Sequence, residues 1–99
     1  MSSYTVTLSG IAADVRVHSF SFPSSTSIAV VVPTGHWDAE LGRAATDAMT
    51  FDFEVADVTD FEVSGRRVAV SGRDALITTL SFSGDDVAFT IVSDHITTS

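Results

Sequence analysis

The sequence contains no cysteine and no lysine. Without cysteine there is no disulfide framework, thiol nucleophile or zinc–thiolate site, and the redox compartment is not written in the chain. Without lysine there is no P-loop, Schiff-base or lysine-base chemistry. Positive charge rests on five arginines, Arg16, Arg43, Arg66, Arg67 and Arg73, against thirteen acids, for a formal net charge of −8. Nucleic acid is therefore not an expected partner, because binding it takes clustered cations that displace counterions. An anionic membrane surface is unsuited for the same reason. Arginine without lysine fits the codon bias of a GC-rich genome. The acidic balance also fits high salt, although 18% charged residues fall short of an extreme halophile.

Long apolar runs are missing too. The longest covers residues 28–32, far short of the roughly 20 residues of a membrane-spanning helix. The opening MSSYTVTLSG lacks the cationic segment and apolar run of a signal peptide. A cytoplasmic site of synthesis is expected, with no membrane insertion. Ninety-nine residues are expected to form one β-rich domain spanning 1–99. Hydrophobic residues at 44% suffice for one modest core.

What is present is two-residue periodicity. Tyr4, Val6 and Leu8 alternate with Thr5 and Thr7 before Ser9-Gly10. Val15 and Val17 share one face and Phe20 and Phe22 the other phase, which predicts a β-bulge near His18 in a long strand. Residues 28–32 are apolar without alternation, as in a strand buried on both sides. Phe51, Phe53 and Val55 alternate with acids. Val58, Phe61 and Val63 follow after a phase slip and read as strand, with a tight turn at Ser64-Gly65. Val68 and Val70 lie on the return strand. Val87, Phe89 and Ile91 form a last strand, and the final ITTS is expected to fray.

Two segments carry helical spacing. Residues 36–49 place Trp37, Leu41, Ala44, Ala45 and Ala48 on one side, with Thr34 as a cap, but Gly42 costs about 1 kcal/mol relative to Ala. They read as a loop with two helical turns. Ser71 as a cap, with Leu76 and Leu80 four apart, predicts a short helix near residues 73–81. The fold class is thus all-β, a small barrel or sandwich of about six to seven strands with that one helix. The expected core is Val6, Leu8, Val15, Val17, Phe20, Phe22, Val30, Phe51, Phe53, Val55, Phe61, Val68, Val70, Leu76, Leu80, Phe89 and Ile91.

Candidate chemistry is sparse. His36-x-Asp38-x-Glu40 would share one face of a strand and could hold a divalent ion, but a solvated loop beside a packed Trp37 accounts for it as well. Asp57, Asp60 and Glu62, and Asp85-Asp86, lack the glycine and spacing of an EF-hand. No G-x-S-x-G elbow occurs, and His18, His36 and His95 are scattered. No catalytic residue, metal or cofactor is expected. Arg66, Arg67 and Arg73 are the one basic cluster. Their forked donors suit either internal pairs with Asp60, Glu62 or Asp74, or acids on a neighbouring subunit.

One segment carries a family likeness. Thr5-Val6-Thr7-Leu8 opens the chain, and a strand of small polar residues runs from Val15 to Phe22. Met49-Thr50-Phe51-Asp52-Phe53-Glu54-Val55 leads to Val70-Ser71-Gly72-Arg73-Asp74. Residues 4–80 in this order resemble the N-terminal β-barrel domain of phage tail and baseplate hub proteins, of Mu-like phages and contractile injection systems. The glycine-rich hairpin of many such hubs is missing, and the chain spans only what would be a hub's first domain. The resemblance implies a structural, non-catalytic virion component located in a tail or baseplate. Its partners would be itself and other tail proteins in a ring or stack, with Arg66, Arg67 and Arg73 at the interface. The alternative is a small OB- or sandwich-like binding or accessory domain, a ligand carrier or inhibitor in the cytoplasm. Such a domain needs a concave face with exposed aromatics, for which Trp37 and Tyr4 are the candidates.

Overall fold

The computed structural model describes residues 3–98. Eight strands and two short helices follow in the order β1 (Tyr4–Leu8), β2 (Ala12–Val17), β3 (Ser19–Ser24), β4 (Ser27–Pro33), α1 (Asp38–Thr46), β5 (Phe51–Asp57), α2 (Phe61–Ser64), β6 (Arg67–Ser83), β7 (Asp86–Val92) and β8 (His95–Thr98). All pairings are antiparallel, in the spatial order β2-β1-β5-β6-β7-β4-β3, with β8 also on β6. The two ends of that order, β2 and β3, are consecutive in the chain. The strands therefore fold over into a small all-β barrel or sandwich of two faces, with no pairing between β2 and β3 among the described residues to close it.

Two corners make the wrap. At His18 the chain passes from β2, paired with β1, to β3, paired with β4. The phase slip read as a bulge is thus a change of sheet, held by the His18 N–H donating to the Val31 carbonyl at 2.8 Å. The other corner lies inside β6. Its first part pairs β5 up to Ala75, and its second part pairs β7 from Leu76 onward. Between Gly72 and Ala75 the register with β5 shifts, and Asp74 takes a left-handed φ of 52°. An extra residue in that conformation bends and twists a strand, and Asp tolerates it better than most residues.

This corner overturns the expected helix at residues 73–81, which are all strand. Leu76 and Leu80 lie four apart, but Ala75 and Ile77 are the buried neighbours. A second shift between Ile77 and Thr79 then returns Leu80 to the inner face opposite Phe89. The β-branched run Ile77-Thr78-Thr79 favours strand over helix.

Other expectations change as well. Residues 58–63 are not strand: Asp60 precedes one helical turn at Phe61–Ser64, and Gly65 leaves it at φ 69°. The helical turns expected within residues 36–49 are present as α1, nine residues long, but with Trp37 rather than Thr34 before its first residue. Acids in its first turn and Arg43 in its last suit the helix dipole. Of the segment expected to fray, residues 96–98 are strand and Ser99 lies outside the described residues. The register of β6 with β7 continues unbroken from Leu76–Val92 to Arg73–His95, so β8 extends β7 along the same edge. At the break between them the buried Ser93 hydroxyl donates to the Arg73 carbonyl at 2.6 Å and accepts from the His95 N–H at 3.0 Å.

The core sits between the two faces. Val6, Leu8, Val15, Val30, Phe51, Phe53, Val55, Val70, Phe89 and Ile91 are buried as expected, joined by Ile28, Val32, Leu41, Ala44, Ala75, Ile77 and Val87. Phe22, Phe61 and Val68 are exposed instead. Leu41 and Ala44 turn α1 onto the core, and the gap left among Val6, Leu8, Val15, Val32, Trp37, Leu41 and Phe89 measures about 10 Å³. A water needs at least that much, so the interior is filled by side chains.

Candidate interaction surface

The three arginines singled out from sequence do not form one cluster of free cations. Arg66 extends back across the first face, its Nη2 2.8 Å from Glu54 Oε2 and its Nε 3.8 Å from Asp14 Oδ1. Arg67 opens β6, and its Nη2 lies 3.8 Å from Asp57 Oδ2. Internal pairing is thus realised with Glu54, Asp14 and Asp57, and not with Asp60, Glu62 or Asp74. Asp57 is held below its ordinary 3.8 by hydrogen bonds from the Thr59 side chain and N–H, with Arg67 adding to the effect. Arg73 is exposed at the β6 corner opposite His95. It has no acidic partner among the described residues, and neither has Arg16 on β2. Exposed ion pairs are worth about 0–1 kcal/mol, so those of Arg66 and Arg67 do not bar a second partner.

The metal-like triad is dispersed. Asp38 begins α1, and its Oδ1 accepts the Gly35 N–H at 3.0 Å. Glu40 lies on the helix near Arg43 at 3.9 Å, and the His36 ring stands edge-on to Trp37. Among the described residues no three His, Asp or Glu side chains gather. The two aromatics with polar handles are also engaged. Trp37 Nε1 donates to the Pro33 carbonyl at 3.0 Å, and Tyr4 packs edge-on against Phe20. His18 pairs with Asp86 at 2.9 Å. A surface groove of about 340 Å³ crosses β5, β6 and β8 beside Arg73 and His95.

What the sequence reading missed is a division of charge between the two faces. The second face consists of β3, β4, β7 and the later part of β6. Residues 17–37, 75–84 and 87–93 contain no Asp, Glu or Arg, which leaves this face with Asp86 alone. Its outer rows are Thr79, Thr90, Ala29 and Ser21, then Ser81, Ala88, Val31 and Ser19. The first face carries Asp14, Arg16, Asp52, Glu54, Arg67 and Arg73. The signal was legible as gaps in the charge pattern, but it gains meaning only once the gaps fold onto one sheet.

Both rims of the uncharged face are open. Among the described residues β3 has a strand neighbour on one side only, and so has β6 beyond Ala75. Their sequences, SFSFPS and LITTLSFS, hold no charge. Edge strands of proteins that stay single are usually guarded by charge, proline or a bulge. Here Pro23 and the irregularity between Ser21 and Ser24 guard only the far end of β3. A second unmasked feature is the α2 tip, where Phe61 is 60% and Val63 91% exposed. No helix among the described residues is long and apolar enough to cross a membrane.

No protein-family profile and no curated protein matches the sequence. The fold is similar to that in the crystal structure of Hcp2 from Salmonella typhimurium, with a TM-score of 0.65, 11% identity, and coverage of 98% of this chain and 81% of that one.

Proposed function

We propose that this chain is a non-catalytic structural subunit of a tail- or tube-type assembly, which joins copies of itself edge to edge into a ring or stack. The observation that carries this reading is the fold shared over nearly the whole chain with Hcp2, a tail-tube-like secretion-tube protein. The phage-hub likeness of residues 4–80 points to the same class of devices. Position in a virion tail or baseplate, and contact with other tail proteins, are the finer part of the proposal.

The surface supplies a physical route. Placing β3 of one copy beside β6 of the next continues the uncharged face across the boundary through main-chain hydrogen bonds. Such a contact uses two different edges, so it is head-to-tail and closes into a ring when the rotation per subunit allows. Charge favours this face, since copies at −8 repel wherever their acids meet. Arg73, without an acidic partner among the described residues, is the arginine of the original three best placed to meet a neighbour's acid. The ligand-carrier alternative draws no support from the interior, which is filled.

Lysines on the open rim test the route. Thr79→Lys with Ser81→Lys places two cations on exposed positions of β6. The expected result is loss of the assembled species in sedimentation with an unchanged melting temperature. An assembly of unchanged mass would exclude edge pairing at β6.

A further inference from the structure

The α2 tip calls for its own partner, because it lies on the connection from β5 to β6 and not on the uncharged face. Phe61 and Val63 are exposed there, interleaved in sequence with two acids, Asp60 and Glu62. Apolar side chains this exposed, rimmed by charge, mark a contact site. Beside the tip is an open recess of about 260 Å³ lined by Ser3, Tyr4, Thr5, Arg16 and Val58. Its one charge is Arg16, which has no acidic partner among the described residues. Tip and recess are neighbours: Val58 belongs to both, and the Ser3 N–H donates to Thr59 Oγ1 at 2.8 Å. An acidic apolar knob thus adjoins a partly apolar recess with an unused cation.

We infer that a second copy of this chain covers the tip in a two-fold contact, each Phe61–Val63 knob entering the other's Tyr4–Arg16 recess while Asp60 and Glu62 face Arg16. Two adjacent, mutually complementary patches are what an isologous interface requires, since residue i then meets j and j meets i. The contact neutralises acids with a cation, and rim charges of this kind set partner choice. It is independent of edge pairing. Where rings form, the two-fold joins them in pairs facing opposite ways.

Sedimentation of the unmodified chain and three variants tests this. Phe61→Ser with Val63→Ser changes only exposed positions and is expected to halve the mass of the largest species. Arg16→Glu is expected to weaken the same step at least tenfold, and adding Glu62→Arg to it to restore the step. If edge pairing is absent, the unmodified chain runs as a dimer and the serine variant as a monomer, which sustains the two-fold while ending the ring reading. If rings form but the serine variant leaves their mass unchanged, or the charge swap restores nothing, the two-fold contact is wrong and the ring reading survives. An unmodified chain that stays monomeric at all concentrations overturns both.

Discussion

Single residues carry much of the fold's definition. Gly72 lies opposite Phe53, and a Cβ added there would run into the Phe53 ring. The ring thus fills the space the glycine leaves, and the two are energetically coupled. Phe53→Ala should cost about 3–5 kcal/mol, a large share of the 5–15 kcal/mol typical of a domain. Gly72→Ala should cost about 1–3 kcal/mol by overpacking, and less when Phe53 is also shortened to Leu. Chemical denaturation of Phe53→Leu, Gly72→Ala and the two combined measures that coupling, and strict additivity would refute it. Thr5 offers the opposite case. Its buried Oγ1 has no hydrogen-bond partner, and an orphaned group of this kind costs about 1–3 kcal/mol. Thr5→Val keeps the shape and should raise stability by about 1 kcal/mol, an increase of about 4–8 °C in melting temperature for a domain of this size. Asp57 is a third test. Its carboxyl is depressed in the folded state, so its contribution is present above the unfolded value and lost as pH falls through the lowered one. Thr59→Val should move that titration back toward 3.8, which the carboxyl chemical shift would register.

At the scale of elements, strands with clean alternation were legible and the places where alternation breaks were not. Tyr4, Val6 and Leu8, or Phe51, Phe53 and Val55, read correctly because one face of each is core. The slip at His18 was visible, but whether a slip means a bulge or a change of sheet depends on which strands lie alongside. Residues 73–81 failed for a related reason. Two shifts in β6 disguised its period, and a chance i,i+4 leucine pair looked like a helix face. Phe61 is expected in the core because its spacing with Val63 suits a strand, while Asp60 and Gly65 bound a single helical turn. Arg66, Arg67 and Arg73 were legible as scarce cations, but their partners were not, because Glu54 and Asp14 come from strands distant in sequence. The continuation of β7 into β8 hangs on Ser93. Ser93→Ala would leave the Arg73 carbonyl and the His95 N–H without their bonds, at about 1–3 kcal/mol. Amide exchange should then quicken at Ile96 and Thr97 while Val87, Phe89 and Ile91 stay protected. Uniform quickening along β7 would contradict this account of the break.

For the whole molecule the governing fact is how its charge is divided. The acids and arginines lie on the first face and the connections, and the second face with its two rims is nearly free of them. Self-contact through that face meets less repulsion than contact elsewhere, yet net charge still opposes it at long range. Screening should therefore strengthen association from low to moderate salt, where the Debye length falls to about 8 Å. Light scattering across a salt series reads this directly, and a steady weakening would mean that arginine–acid pairs dominate instead. The central claim is that the chain builds a closed assembly through the rims of its uncharged face. Image reconstruction of the purified protein's largest species, at the salt of strongest association, tests it most directly. The account predicts a ring in which β3 of each subunit lies beside β6 of the next, so that the uncharged face runs unbroken around it. Separate subunits, or a ring whose contacts fall on the charged face, would contradict it.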